Sequence, residues 1–351
     1  MGKLRLAIFG LGNCASSLIQ GIYYYRDNKT DLGLLYPEIG GYRPQDIEVV
    51  AAFDVNAQKV GKDISEAIWE EPNNTEKLWD VPKTGVKVLM GPVMDGVPGH
   101  LARMMEVADE KPVNVAEVLK AEKVDVVMNI IPTGSHDATE YYAEQTIKSG
   151  VSFVNGIPEL IVSKSSEFEE MSKVYGVPLV GDDFKSQLGA TILNREIINL
   201  FLARGVKLDN AYQLNYAGNT DFVNLVFRGE TKHVTKTSAL KSLLPYEAEI
   251  STGFTYIPVQ KDRKIARIEL NGRKWGGAPV RVSTELSVND SADAGGVMVD
   301  MIRCAKLALD RGLSGRLESV SAYYAKHPPV QHPDHIAKQM LDDFIAGKRD
   351  S

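Results

Sequence analysis

A glycine-rich turn near residue 10 constrains the fold of this chain more than any other sequence feature. Residues 10–15 read Gly-Leu-Gly-Asn-Cys-Ala, directly after an apolar stretch and before a predicted helix at residues 14–25. Gly10 permits a tight turn, Gly12 lets the backbone approach a pyrophosphate, and the small Ala15 allows the helix to pack closely on the strand. The N-terminus of such a helix attracts phosphate groups. The segment therefore predicts a Rossmann-type dinucleotide-binding unit.

The end of the second predicted strand favours NAD as the dinucleotide. The apolar stretch at residues 47–53 ends at Asp54, whose carboxylate can accept a hydrogen bond from a ribose hydroxyl and would repel the 2′-phosphate of NADP. Asp54 lies farther from the glycines than the usual distance of about 20 residues, and we interpret residues 26–46 as an inserted loop that explains the difference. A glycine turn of another α/β fold is the alternative. Cys14 is interpreted as a small residue at a helix start rather than as a nucleophile.

Strands and helices alternate through the first half of the chain. The predicted strands lie at residues 4–9, 47–53, 86–90, 124–131, 151–155 and 178–180. The predicted helices lie at residues 14–25, 57–69, 100–108, 113–122 and 137–149. Such alternation is typical of a parallel sheet covered by helices on both faces. The predicted fold class is therefore α/β, with a Rossmann-type doubly wound parallel sheet.

The pattern changes near residue 187. After a predicted helix at 187–204, apolar and polar residues alternate at 211–216, 264–270 and 280–288, with glycine-rich turns among them. Segments of this period joined by such turns predict an α+β second domain with a mostly antiparallel sheet.

These patterns predict two domains. The NAD-binding Rossmann domain is expected at residues 1–186, and an α+β second domain at residues 187–291. Later helices, at 294–311 and 334–345, are expected to pack back on the first domain, so that residues 292–351 complete it.

Composition excludes several classes of protein. The chain has 351 residues, a formal net charge of −6 and two cysteines, Cys14 and Cys304. Two distant cysteines exclude a disulfide framework and favour a reducing, cytoplasmic setting, while the negative charge argues against a general nucleic-acid-binding protein. The longest apolar run, at residues 124–132, is too short to span a membrane, and we expect no signal peptide. An anionic substrate would require local lysines.

Lys264 stands out among the charged residues of the second half. On a strand it would share the apolar face with Ala266, Ile268 and Leu270. Such a lysine either extends its ammonium group to solvent at the strand end or lies in an enclosed site. In an enclosed site its pKa would fall, and it could then transfer protons.

Two other groups of charged residues have alternative interpretations. Lys232 and Lys236 are four residues apart, so a helix would place both ammonium groups on one face, either as a solvated surface or as a phosphate clamp. Asp182 and Asp183 follow the strand at 178–180, where α/β sheets bind ligands. A helix N-cap beside a solvated acid explains these two residues equally well.

Five segments that occur in a fixed order carry a resemblance to a known family. They read GLGNCASS, AFDV, VGDDFKS, GNTDF and NDS and lie at residues 10–17, 52–55, 180–186, 218–222 and 289–291. Together they closely resemble the prokaryotic myo-inositol-1-phosphate synthases, over nearly the whole chain. The combination is far more specific than the glycine motif alone.

The resemblance implies an isomerase, an intramolecular lyase, that converts D-glucose 6-phosphate to 1L-myo-inositol 1-phosphate. In that family NAD takes a hydride from carbon 5, and enolisation with aldol attack on the carbon 1 aldehyde closes the ring. The hydride then returns, without net redox change. Such chemistry requires a bound nicotinamide, cations for the phosphate and the oxyanion, and a group that transfers protons.

The resemblance also implies roles for four lysines. Lys264 is expected to transfer protons at the oxidised carbon and to stabilise the enolate charge. Lys236 is expected to stabilise the aldehyde oxygen. Lys232 and Lys326 are expected to contact the phosphate or the developing oxyanions.

Two acids and a larger set of contacts follow from the same resemblance. Asp183 and Asp290 match family acids near the nicotinamide, and Asp290 would orient either a lysine or a monovalent cation. The implied cofactor contacts are Gly10, Gly12, Asn13, Cys14, Ala15, Asp54, Thr133, Gly156, Asp183 and Ser186. The implied substrate contacts are Asn219, Asp221, Lys232, Lys236, Lys264, Ser291 and Lys326. A monovalent or divalent cation is a further candidate cofactor, but no set of metal-ligating side chains is predicted.

The resemblance further implies that residues 187–291 are the catalytic and oligomerisation domain, and that the protein is a cytoplasmic homotetramer joined through the second-domain sheets. The chain lacks the long N-terminal extension of eukaryotic members, so contacts made by that extension are not transferred. No nucleic acid or membrane is expected as a partner.

Two alternatives explain part of the sequence. A net NAD(P)-dependent dehydrogenase of the homoserine dehydrogenase-like type would account for residues 1–160 but would not require Lys232, Lys236 and Lys264 together. A regulatory protein that binds NAD without turnover would not need a lysine on an apolar strand face.

Overall fold

The computed structural model describes residues 2–228, 240–241 and 243–351. These residues form two sheets, one of seven strands and one of four. None of the helices within the described ranges has both the length and the apolar character needed to cross a membrane.

The seven-stranded sheet is parallel. Its strands are β1 (Leu4–Phe9), β2 (Ile47–Asp54), β3 (Val88–Met90), β4 (Val126–Asn129), β5 (Ser152–Asn155), β6 (Pro178–Val180) and β11 (Gly315–Arg316). Their spatial order is β11-β6-β5-β4-β1-β2-β3, and neighbouring strands run parallel. The order reverses between β1 and β4, and such sheets bind ligands at the carboxyl ends of the strands near this point. The predicted Rossmann-type sheet is confirmed.

Helices cover both faces of this sheet. They are α1 (Asn13–Asn28), α2 (Ile64–Ala67), α3 (Val115–Ala121), α4 (His136–Lys148), α5 (Ile161–Lys164), α6 (Ser166–Tyr175), α9 (Asp290–Asp310), α10 (Glu318–Tyr324) and α11 (Asp334–Ile345). On β1, Leu4, Leu6 and Ile8 belong to the core shared with α1 and α9. Ala7 and Phe9 belong to the core shared with α3 and α4. Because both faces of the strand are buried, its sequence is apolar apart from the half-buried Arg5, and each large apolar side chain contributes roughly 1.5–3 kcal/mol.

The smaller sheet is mixed. Its strands are β7 (Lys207–Ala217), β8 (Glu249–Tyr256), β9 (Arg263–Arg273) and β10 (Pro279–Asn289), in the order β10-β9-β7-β8. Strand β9 is antiparallel to both neighbours, and β7 and β8 are parallel. The prediction of a mostly antiparallel second sheet is therefore confirmed, while the parallel strand β8 was not predicted. Two helices, α7 (Ala190–Ala203) and α8 (Thr220–Arg228), precede and follow β7.

The helix predicted at residues 57–69 is wrong over most of its length. Asn56 forms a turn instead, since its side chain accepts from the Gln58 N–H at 2.9 Å, and Gly61 has a φ of +81°. Asp63 then caps α2 by accepting from the Ser65 N–H at 2.9 Å, which confines the helix to Ile64–Ala67.

The helix predicted near residues 100–108 is absent. Residues 98–105 form turns, and the chain then pairs with the segment after β2. The Ala57 N–H donates to the Glu106 carbonyl and the Ala108 N–H to the Val55 carbonyl, both at 2.9 Å. These N–H and carbonyl groups are therefore not available for the backbone hydrogen bonds of a helix.

An inserted loop is present between α1 and β2, as predicted. The guanidinium of Arg303, on α9, is fully buried. It donates to the carbonyl oxygens of Tyr36, Pro37 and Tyr42 at 2.9, 3.2 and 3.2 Å. The loop is thereby fixed to α9, and its length accounts for the unusual separation of the glycines from Asp54.

Candidate active site

A cavity of about 240 Å³ lies where the carboxyl ends of the parallel strands face the second sheet. Most of the predicted site residues line it. They are Gly10, Gly12, Asn13, Cys14, Asp54, Thr133, Gly156, Asp183, Ser186, Asn219, Asp221, Lys264, Asp290, Ser291 and Lys326. Ala15 is fully buried in the core behind the turn. Lys232 and Lys236 lie outside the described residues.

The two glycines of the turn serve different purposes. Gly10 has a φ of +85°, and a Cβ atom there would lie 2.7 Å from the Ile130 carbonyl oxygen. Gly12 is the N-cap of α1 and offers no side-chain cap, and apart from the adjoining chain no protein atom lies within 4 Å of the position that its Cβ would take. The open space at Gly12, beside the positive end of a 16-residue helix, fits a phosphate-bearing cofactor.

Asp54 holds the glycine turn in place. One carboxylate oxygen accepts from the Leu11 N–H at 2.8 Å, and the other accepts from the Val55 and Asn56 N–H groups at 2.8 and 3.0 Å. The ammonium of buried Lys59 lies 3.8 Å away, and burial lowers the pKa of Lys59. The contact of Asp54 with a ribose stays a prediction.

A loop at residues 72–74 supports the turn from outside. The Asn13 side chain exchanges two hydrogen bonds with Asn74, each of 2.9 Å. Asn73 donates to the Leu11 carbonyl at 3.0 Å. Asn74 also donates to the Gly218 carbonyl at 2.9 Å, so this loop connects the glycine turn with the end of β7.

Lys264 lies at the start of β9, in an enclosed site. Its neighbours on the same face, Ala266, Ile268 and Leu270, are buried, and Lys264 itself is only 8% exposed. Its ammonium forms an ion pair with Asp290, whose other carboxylate oxygen accepts from the Asn219 side chain at 3.3 Å. The structure therefore favours the enclosed interpretation over a lysine that reaches solvent.

A second ion pair joins Lys326 and Asp183. The Lys326 ammonium lies 2.6 Å from an Asp183 carboxylate oxygen and donates to the Phe184 carbonyl, also at 2.6 Å. Asp183 has a φ of +58°, which is uncommon for any residue other than glycine. The segments pair through the backbone as well, since the Lys326 N–H donates to the Asp183 carbonyl at 2.7 Å. The chain thus holds Asp183 in a strained conformation against a buried cation.

Asp182 and Asp183 serve different purposes. Asp182 is fully buried, and it accepts from the N–H groups of Val162 and Ser163 at 3.1 and 2.8 Å and from the Asn155 side chain at 2.8 Å. Burial raises its pKa to about 7. Asp182 thus binds the first turn of α5 from a distant part of the chain, although Leu160 is the N-cap residue of that helix. Asp183 is buried and lines the cavity, so neither residue fits the alternative of a helix N-cap beside a solvated acid.

Lys185 supports the same region from behind. Its ammonium donates to the carbonyl oxygens of Ala322 and Tyr323, both at 3.0 Å. Burial lowers its pKa to about 8. Lys185 belongs to the VGDDFKS segment at residues 180–186, but no role was predicted for it.

Polar residues continue along the cavity wall around Thr133. Its hydroxyl donates to Asp221 at 3.1 Å, and the Asn224 side chain donates to its carbonyl. The His100 ring hydrogen-bonds with Asn224 at 2.7 Å. Asn224, which lines the cavity, and His100, which contacts Asn224, were not predicted, although the spacing of Asn224 from Asp221 is that of neighbours on one helix face.

Gly156 lies where space is short. A Cβ atom there would lie 2.7 Å from both the Met128 methyl carbon and the Phe184 ring.

Within the described ranges, no group of three or more His, Cys, Asp and Glu side chains is arranged to hold a metal ion.

Comparison with known proteins identifies relatives along the whole chain. The family model described as myo-inositol-1-phosphate synthase matches residues 189–291. The inositol-3-phosphate synthase of Mycolicibacterium smegmatis is 45% identical over 362 residues and covers 99% of this chain and 99% of that protein. The inositol-3-phosphate synthase of Mycobacterium tuberculosis is 44% identical over 354 residues, which is 98% of this chain and 96% of that protein.

A solved structure has the same fold. The crystal structure of Ari2 is similar with a TM-score of 0.81 and 32% identity, covering 98% of this chain and 99% of that chain. The segment matched by the family model includes Asn219, Lys264 and Asp290, which line the cavity from the second sheet and the start of α9.

Proposed function

The chain belongs to the myo-inositol-1-phosphate synthase family of isomerases, and on this premise we propose that it converts D-glucose 6-phosphate to 1L-myo-inositol 1-phosphate, with NAD as a catalytic cofactor. One observation carries the proposal. The Lys264–Asp290 and Lys326–Asp183 ion pairs line the same cavity as the glycine turn. A dinucleotide site and buried cations for an anionic sugar are thereby combined.

The residues that would hold NAD are those of the turn and of the strand ends. The space at Gly12 and the N-terminus of α1 would receive its phosphates. Further contacts are proposed for Gly10, Asn13, Cys14, Asp54, Thr133, Gly156 and Ser186. When bound, NAD would supply a hydride acceptor that returns the hydride at the end of the reaction.

Lys264 is proposed to accept the proton of the carbon 5 hydroxyl as the neutral amine, and to stabilise the enolate as the ammonium group that results. Its burial excludes bulk water, so the ammonium interacts strongly with developing negative charge. Asp290 orients the ammonium through the ion pair, and Asn219 in turn holds the second oxygen of Asp290. A proton-transfer group fixed in this way contributes typically about 10²–10⁴-fold to a rate.

Lys326 is proposed to bind the phosphate or a developing oxyanion, with Asp183 fixing its position. Lys232 and Lys236 are proposed to complete the cationic set, and Asp221 and Ser291 to contact the sugar. These cations are necessary because the chain as a whole carries a formal charge of −6. A cytoplasmic homotetramer joined through the second-domain sheets is proposed as the working form.

Product identification tests this function. The purified protein is incubated with D-glucose 6-phosphate and NAD, and the products are identified by phosphorus NMR against authentic inositol 1-phosphate. We expect inositol 1-phosphate as the main product. An oxidised but uncyclised sugar phosphate as the end product would contradict the proposal.

A further inference from the structure

Asp262 is a buried acid between the glycine turn and the catalytic lysine. It lies directly before β9 and is 3% exposed. One carboxylate oxygen accepts from the side chains of Asn13, Asn219 and Ser291 at 3.1, 3.1 and 2.9 Å. The other accepts from the Thr75 hydroxyl at 3.0 Å and the Ser291 N–H at 3.3 Å.

The donors come from four separate parts of the chain. Asn13 belongs to the glycine turn, Thr75 to the loop that supports it, Asn219 to the end of β7, and Ser291 to the start of α9. A side chain with two acceptor oxygens and no donor is suited to receive all of them. The carboxylate of Asp262 therefore fixes these four segments relative to one another.

The network continues to the catalytic lysine. Asn219 also donates to Asp290 at 3.3 Å, and Asp290 pairs with Lys264. The backbone adds a direct link, because the Asp290 N–H donates to the Asp262 carbonyl at 3.0 Å. An unbroken path of hydrogen bonds thus connects Asn13, beside the open space at Gly12, with the ammonium of Lys264.

Burial of this acid is unfavourable unless the hydrogen bonds compensate for it. Burial raises the pKa of Asp262, and the nearby charge of Asp290 raises it further. All the donors described above are neutral groups, so they supply hydrogen bonds without an opposite charge. A buried carboxyl group without an opposite charge is best explained by the fixed positions in which its hydrogen bonds hold the four segments.

We propose that Asp262 is a positioning residue that couples the glycine turn to the Lys264–Asp290 pair, so that the cofactor and the proton-transferring lysine keep a fixed relation. The effect on turnover rests on the proposed function. The effects on NAD affinity and on the turn do not.

Asp262→Ala and Asp262→Asn test this role, with Asp209→Ala as the control. Asp209 pairs with Arg273 on the same sheet at 2.7 Å and does not line the cavity. For Asp262→Ala we expect the Kd for NAD to rise at least about fivefold and kcat to fall about 10- to 100-fold, because small displacements of reacting groups are costly. The Asp209 variant should match the wild type in both.

Thiol labelling supplies a readout that requires no turnover. Cys14 is partly exposed beside Asn13, whereas Cys304 is fully buried. Without NAD, Cys14 should react with a disulfide reagent several-fold faster in Asp262→Ala, because the turn has lost its link to the second sheet. The Asp209 variant should react at the wild-type rate.

If Asp262→Ala does not fold, Asp262→Asn tests the positioning role by itself. An amide retains one oxygen for Asn13, Asn219 and Ser291, so the Kd for NAD should stay within about twofold of the wild type. The amide nitrogen would face the Ser291 N–H, so kcat should fall by about 3- to 10-fold.

Two results would overturn the proposal. One is an Asp262→Ala protein whose NAD affinity, kcat and Cys14 labelling all match those of the control. The other is an Asp262→Asn protein with wild-type kcat. If the wild type does not convert glucose 6-phosphate, the proposed function fails, while NAD affinity and labelling still test Asp262.

Discussion

At the residue scale, the proposed chemistry depends most on Lys264. The change Lys264→Ala removes the ammonium that pairs with Asp290 and leaves the glycine turn and its hydrogen bonds unchanged. We expect kcat to fall at least about 100-fold, as is typical for loss of a proton-transfer group, with the Kd for NAD within about twofold. Initial rates and calorimetric titration with NAD measure the two quantities.

A matched control separates this effect from a change in net charge. Lys274 is an exposed lysine in the turn between β9 and β10, and Lys274→Ala removes one charge far from the cavity lining. Its kcat should equal that of the wild type. Turnover retained by Lys264→Ala would remove Lys264 from the mechanism.

Asp182 gives the stability of the fold a defined pH dependence. Burial raises its pKa to about 7, above its unfolded value near 4. A carboxyl group with a raised pKa binds its proton more tightly in the folded chain, so its contribution to stability is complete below about pH 4 and is lost as pH rises through about 7. Relative to Asp182→Asn, the wild type should therefore lose stability over this window.

The size of the difference follows from the shift. At about 1.4 kcal/mol per pKa unit, the loss is on the order of 4 kcal/mol. Denaturant unfolding of the wild type and Asp182→Asn at several pH values measures this loss. Subtracting the two free energies of unfolding at each pH removes the contribution of the other titrating groups. A wild type that gains stability over the variant as pH rises from 4 to 7 would show that the carboxylate is the favoured form.

At the scale of elements, the glycine turn offers a test with an internal control. Gly10→Ala places a Cβ atom 2.7 Å from the Ile130 carbonyl oxygen at a φ of +85°, so we expect destabilisation by roughly 1–3 kcal/mol or more. Gly12→Ala meets no protein atom within 4 Å. It should keep the wild-type Tm but bind NAD at least about tenfold more weakly, because the methyl group would occupy the proposed phosphate site.

Thermal melting and NAD titration distinguish the two glycines. We expect opposite profiles, with a lower Tm for Gly10→Ala and a weaker affinity for NAD for Gly12→Ala. Wild-type affinity in Gly12→Ala would show that no phosphate approaches this part of the turn.

The strands of the parallel sheet could be predicted because their signal is local. A strand buried on both faces is a short apolar run, and β1 and β2 lie where such runs lie. The apolar face of β9 could also be predicted, because the period of two along the strand places Lys264 on one face with Ala266, Ile268 and Leu270. Those three residues and Lys264 are all buried.

Elements whose signal is weak or distant could not be predicted. Strand β8 contains Gly253, and a glycine weakens the strand pattern. The helix expected near residue 100 is replaced by pairing of residues 106–108 with residues 55–57, which no local pattern reveals. Asp262 was missed for the same reason, because its donors lie 29 to 249 positions away in the chain.

At the scale of the whole molecule, the site exists because two sheets meet. The parallel sheet supplies the glycine turn, and the second sheet supplies Lys264. Helix α9 begins at the cavity with Asp290 and Ser291 and then packs against α1 on the parallel sheet. A chain of net charge −6 thereby encloses buried ammonium groups, which the proposed function assigns to an anionic sugar.

The ratio of product to cofactor tests the central claim most directly. The purified protein is incubated with excess D-glucose 6-phosphate and a small, known amount of NAD, and both inositol 1-phosphate and NADH are measured over time. If the cofactor is reduced and restored within each turnover, inositol 1-phosphate should accumulate many-fold beyond the NAD supplied, with no steady rise in NADH. NADH that accumulates in proportion to an oxidised sugar phosphate, and product that stops when NAD is exhausted, would contradict the account and indicate a net dehydrogenase.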